Sequence, residues 1–156
     1  MDLVYSNEDA LQAALYYADN GYLCSEAVLL SLSEAVGVKS ELIPRVATGF
    51  GAGIARSGNI CGALSGAIMG LGVSFGRDEV SSTTVSKYWF SNEFVQSFKK
   101  EFGTLRCPVL LGLDLDDPED YETFRKKNLW EKKCKPIIKK SVELAYNILE
   151  RNLEKE

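Results

Sequence analysis

The stretch NICGALSGAIMGLG, residues 59–72, sets Cys61 directly before glycines at positions 62, 66 and 70. Glycine inside a helix costs roughly 1 kcal/mol relative to alanine at each site. Residues four apart lie close to one line on a helix, drifting by about 40° per step at 3.6 residues per turn. A line without side chains lets another helix backbone approach unusually closely. The stretch therefore predicts a central helix over about 60–75, tightly crossed by a neighbour. Asn59 is its expected cap, and Cys61 lies in its first turn. An incidental buried cysteine at a tight crossing is the plain alternative to a functional thiol there.

Outward from this segment the chain reads as helices, with no stretch of strict two-residue alternation. Ser6 caps a first helix that Gly21 closes in the left-handed conformation. CSEAVLLSLSEAVG, 24–37, forms a second, with Cys24, Val28, Leu32 and Ala35 on one face and Gly37 as its stop. Ser40 and Glu41 open a short segment to about Gly49, and GFGAGIARSG, 49–58, is a glycine-rich connection. Asp78 and Glu79 are the expected start of a long helix to Phe102. Its Phe90, Phe94, Phe98 and Phe102 recur at every fourth residue and mark a core face. Gly103 ends it. A link with one short helical turn around Pro108 follows. Asp117, Pro118, Glu119 and Asp120 then supply a cap, a first-turn proline and acids at the positive end of a dipole. As a calcium loop this cluster fails, for it has no glycine sixth and Arg125 stands where the twelfth-position glutamate belongs. The last helix opens at Lys135-Pro136 and buries Ile138, Val142, Ala145 and Leu149. The expected fold is all-α: one domain over 1–156, a compact bundle of six or seven helices around the glycine-rich one.

Composition narrows the chemistry. The chain has 156 residues, 26% charged and 46% hydrophobic, the balance of an ordinary globular domain. Its formal net charge of −4 argues against a nucleic-acid surface. The start shows no cationic region followed by an apolar run, so a cytoplasmic, reducing setting is the expectation. Residues 57–76 carry no charge and are long enough to span a bilayer, but glycines, Ser57, Asn59, Ser65 and Ser74 interrupt them. A buried helix of a soluble fold is the better reading. GFGAGIARSG, with Arg56 as a clamp, fails as a phosphate cradle because it has no G-K-[ST] ending and follows no strand. The chain contains no histidine. Ser-His and Cys-His nucleophiles, histidine-ligated zinc and Rieske-type clusters are thereby excluded.

Four cysteines remain as the chemically distinctive residues: Cys24, Cys61, Cys107 and Cys134. In a reducing setting such residues serve as free thiols, metal ligands or redox groups. Helix starts lie near Cys24, Cys61 and Cys134. Arg106 precedes Cys107, and Lys133 and Lys135 flank Cys134. Helix N-termini and cations favour thiolates, so Cys61 and Cys134 are the expected reactive pair. Separations of 37, 46 and 27 residues leave no C-x-x-C knuckle, so any shared site requires four distant segments to converge.

Cys24, CGALSG at 61–66, FGTLRCPVLLGLDL at 102–115 and KKCKPII at 132–138 together resemble the C_GCAxxG_C_C family of four-cysteine proteins, for which redox activity is proposed. The likeness runs from Cys24 to the final helix. It implies a helical domain whose four cysteines are functional, with no assigned reaction. Related modules stand beside haem domains, where an iron–sulfur centre has been suggested. The resulting expectation is that Cys24, Cys61, Cys107 and Cys134 bind an iron–sulfur cluster or another thiolate-bound metal, serving electron transfer to a redox partner protein. Thiol–disulfide exchange between cysteine pairs is the alternative. A non-redox structural zinc site or buried cysteines form a third.

Overall fold

The computed structural model describes residues 1–80 and 86–153. Among them the architecture is all-α: α1 (Asn7–Asp19), α2 (Cys24–Ala35), a 3₁₀ turn (Arg45–Phe50), a left-handed helical turn α3 (Gly51–Arg56), α4 (Gly62–Phe75), α5 (Trp89–Phe102), α6 (Cys107–Leu111), α7 (Pro118–Lys126), a π turn (Trp130–Cys134) and α8 (Lys135–Leu153). Helix α4 is central. It packs most extensively on α2 and also meets α8 and α5, while α1 covers the outer sides of α2 and α8.

Local chemistry explains most boundaries. Ser6 accepts from the Asp9 N–H at 3.1 Å while Asp9 accepts from the Ser6 N–H at 3.1 Å, a reciprocal cap on α1. Asp117 accepts from the N–H groups of Glu119 and Asp120 at the start of α7. Gly103, at φ +75°, ends α5. Two boundaries differ from expectation. The α4 cap is Cys61, not Asn59, because Asn59 is tied elsewhere: its carbonyl accepts from the Cys107 N–H at 2.9 Å. Helix α5 begins at Trp89, not at Asp78. Residues 77–80 are exposed and non-helical, and the rest of the expected first turns, 81–85, lies outside the described residues. An acidic start alone does not sustain a helix; burial of an apolar face does. That face starts at Phe90, where Phe75, Trp89 and Phe90 form an aromatic cluster.

The phenylalanine stripe is core, with Phe94 and Phe98 fully buried and Phe102 packed against them at a ring separation of 4.7 Å. Ile138, Val142, Ala145 and Leu149 are likewise fully buried on α8. Among the described residues no helix is long and apolar enough to cross a membrane.

The glycine line of α4 lies on α2. A Cβ at Gly62 would stand 2.3 Å from the Cys24 sulfur, one at Gly66 2.5 Å from the Ser25 carbonyl oxygen, and one at Gly70 2.7 Å from Leu32 Cβ. At Gly66 the obstacle is backbone, which cannot step aside by changing a rotamer. Gly72, one turn from the end of the same helix, has nothing within 4 Å. Gly66→Ala is expected to destabilise the protein by about 1–3 kcal/mol or more through overpacking. Gly72→Ala should instead be neutral or stabilise by up to about 1 kcal/mol. Denaturant midpoints of the two variants check this; equal effects would show that the α2–α4 contact is not what demands glycine.

Candidate functional site

Each cysteine stands where a helix begins. Cys24 is the first residue of α2. The preceding turn is tied down by Glu26, whose carboxylate accepts from the Leu23 N–H at 2.9 Å and from the Thr48 hydroxyl at 2.6 Å. The Cys24 sulfur occupies the space a side chain at Gly62 would fill. Backbone N–H groups of Ala52, Ser25 and Gly62 surround that sulfur.

Cys61 and Cys107 are brought together by backbone pairing. Ile60 and Arg106 form an isolated antiparallel bridge; the Cys61 N–H donates to the Leu105 carbonyl at 2.7 Å, and the Cys107 N–H to that of Asn59. The bridge places the starts of α4 and α6 side by side. The Cys61 side chain makes no capping hydrogen bond, although the Ala63 and Leu64 backbone at the start of α4 pulls its thiol toward ionisation. Cys134 ends the π turn that runs into α8.

Segments as far apart in sequence as residues 24 and 134 thus converge: all four cysteines line one cavity of about 180 Å³. Leu23, Leu110, Leu111, Leu115, Trp130 and Ile137 supply much of its apolar wall. The four thiols share the wall of this one space. Among the described residues, no three Cys, Asp or Glu side chains form a group tight enough to grip a single ion. Tetrahedral zinc, with Zn–S near 2.3 Å, needs its sulfurs about 3.8 Å apart. All four cysteines are free thiols.

The electrostatics overturn one expectation. Neither helix starts nor cations lower these thiols; burial raises all four. Cys61 is pushed up to about 12 and Cys107 to about 11, each chiefly by burial and then by Cys24. Burial also raises Cys24, against the pull of the N–H groups around it. Cys134 goes up by burial and by the three other cysteines, with Lys133 opposing weakly. The cations are engaged elsewhere. Arg106 donates to the Gly58 carbonyl at 2.9 Å, Lys133 to that of Leu111 at 3.2 Å, and Lys135 pairs with Asp19 at 2.5 Å and Glu131 at 2.9 Å.

The connection before α4 holds the residues that the sequence did not reveal. Ala52, Gly53, Ile54, Ala55 and Arg56 all have positive φ, a left-handed turn in which only Gly53 is free of a Cβ. Such backbone costs roughly 1–2 kcal/mol per non-glycine residue and persists only where surroundings impose it. Here the Asn59 N–H donates to the Gly53 carbonyl at 3.0 Å, and the Ser57 hydroxyl to that of Ile54 at 2.6 Å. Gly53 is required twice over, by its φ of +69° and because a Cβ would lie 2.7 Å from Cys107 Cβ. The turn delivers Ala52 and Arg56 to the cavity wall, and the Arg56 guanidinium lies 4.2 Å from the Tyr121 ring centroid. No sequence signal marked Tyr121, and a run of non-glycine residues gave no warning of left-handed backbone.

These pKa directions fix the pH dependence of the reduced, metal-free protein. A thiol raised in the folded state ionises more readily when unfolded, so its stabilising contribution is complete below the ordinary thiol pKa near 9. It is lost as pH rises through about 11 and 12. Denaturant midpoints should therefore fall more steeply above pH 9 in the wild type than in Cys61→Ser. Alkylation of the folded protein by iodoacetamide should be slow at pH 7 and accelerate with pH; rapid reaction of Cys61 or Cys134 at pH 7 would contradict the burial argument.

Comparison with known proteins fits this arrangement of cysteines. The family model described as "Putative redox-active protein (C_GCAxxG_C_C)" matches residues 22–148. No curated protein and no solved structure matches the chain. The match takes in all four cavity-lining cysteines and most of the helical core, and on that extent the chain belongs to the C_GCAxxG_C_C family.

Proposed function

We propose that Cys24, Cys61, Cys107 and Cys134 together hold an iron–sulfur centre and that the protein carries electrons for a partner protein. The observation that carries this reading is the convergence of four helix starts, each bearing a cysteine, on one largely apolar cavity. A cavity of about 180 Å³ has room for a centre of several atoms between the sulfurs. The N–H groups of Ala52, Ser25 and Gly62 at Cys24, and of Ala63 and Leu64 at Cys61, are placed to bond thiolates. Hydrogen bonds to the sulfurs are among the features that set the potential of such centres. A centre held by Cys24, Cys61, Cys107 and Cys134 would supply one-electron transfer between partner proteins. The chain's own contribution is to keep the thiols grouped, to exclude water with Leu23, Leu110 and Leu111, and to donate backbone hydrogen bonds. Ligation must also displace the thiol protons that burial retains.

Thiol–disulfide exchange is the second reading. It is supported by the gathering of all four free thiols on one cavity, which leaves each within reach of more than one partner thiol. A structural zinc site comes third, since it requires the sulfurs to draw inward.

Anaerobic purification followed by iron, sulfide and zinc analysis, a visible spectrum and a free-thiol count decides among them. Iron with sulfide, and a coloured protein that loses both in each Cys→Ser variant, is the expected outcome. A colourless protein that loses two or four thiols on oxidation moves the function to disulfide chemistry, and stoichiometric zinc moves it to a structural site.

A further inference from the structure

Arg56 is the one charged side chain among the described residues lining the four-cysteine cavity. Its position is imposed by strained backbone: it closes the left-handed run Ala52–Arg56, whose first residue also lines the cavity. Its guanidinium lies over Tyr121, another lining residue, at 4.2 Å from the ring centroid, while the side chain as a whole stays exposed. A planar cation stacked on an aromatic face is held in place without being neutralised by a carboxylate. Arg56 has no ion pair among the described residues, whereas Lys135, Lys140 and Arg151 do. A cation at the mouth of an apolar, sulfur-lined space, sharing its outer hollow with Asp114 and Asp116 but ion-paired to neither, has a direct electrostatic consequence. Four thiolates carry four negative charges, of which a bound divalent ion offsets only two. In low-dielectric surroundings the remainder is strongly stabilised by a nearby fixed cation.

We propose that Arg56, held on Tyr121 by the left-handed turn, is the charge-compensating group of this cavity, offsetting the net negative charge that four thiolates leave on a ligated centre. The proposal rests on the reading of the cavity as a ligand-holding site, and it adds the sign of the charge that the ligated sulfurs keep and the residue that offsets it. Arg56 is a positioning residue: it sits at the mouth, and the sulfurs make the bonds.

The test uses a matched pair of probes on the reduced, metal-free full chain at pH 9: iodoacetate, an anion, and iodoacetamide, its neutral counterpart. In each case a thiolate sulfur bonds to the methylene carbon, iodide leaves, and the thiol proton goes to solvent. The ratio of the two rates cancels any change in thiolate fraction and reads only the charge preference of the entrance. Arg56→Gln should lower the iodoacetate-to-iodoacetamide ratio by roughly three- to tenfold. Arg56→Lys should retain most of it, and Tyr121→Ala should give an intermediate loss. An unchanged ratio in Arg56→Gln, or an equal rise with both reagents, would overturn the proposal, the latter by showing a steric plug alone. A second arm measures iron and sulfide bound after anaerobic reconstitution, where Arg56→Gln should load less fully than Arg56→Lys. Failure of the wild type to load defeats the metal reading, while the reagent ratio still judges Arg56. Full loading of Arg56→Gln beside a normal wild type counts against the proposal alone.

Discussion

The contact of α4 on α2 through Gly62, Gly66 and Gly70 is the constraint on which the rest of the structure depends. It brings the backbone of one helix against Ser25 and Leu32 of the other and leaves the Cys24 sulfur resting on Gly62. The same approach buries Ser25, whose hydroxyl donates to the Ala47 carbonyl at 2.7 Å and so draws the 3₁₀ turn onto α2. From that turn the chain passes directly into the left-handed run and then to Cys61. A helix crossing set by missing side chains thus determines where two of the four thiols stand. The glycines' loss of helix propensity is offset by the packing that only they permit.

Burial governs the chemistry of the thiols more strongly than the charges around them. The flanking cations are occupied by carbonyls and carboxylates, and the helix N–H groups at Cys24 and Cys61 do not outweigh desolvation. A cavity of this kind stores its cysteines as neutral thiols and makes ionisation dependent on a ligand. In the proposed reading metal coordination is that ligand, since it replaces a proton with a cation at the sulfur. The burial that raises the free thiols is then compatible with a bound centre.

Much of the unusual backbone among the described residues lies at the cavity wall. The left-handed run, the Ile60–Arg106 bridge and the π turn before Cys134 all lie beside cysteines, while α1, α5 and α8 are regular and pack as period and polarity dictate. Departures from regular geometry gathered in one place are what a site imposes on a fold that is otherwise free to relax.

The sequence by itself determined the all-α class, the reciprocal cap at Ser6, the helix stop at Gly103, the buried stripes of α5 and α8, the close approach along the glycine line and the four cysteines as the chemically distinctive set. These are legible because period, caps and missing side chains act locally, within one or two helical turns. Other features belong to the tertiary structure alone: that Cys61 rather than Asn59 caps α4, that α5 waits for Trp89, that the cations turn away from the thiols, and that Arg56 meets Tyr121 across 65 residues of chain. Each depends on which distant segment competes for a given carbonyl, ring or volume. Desolvation is the clearest case, because whether a thiol is raised or lowered depends on everything packed around it, and no neighbour in sequence carries that information.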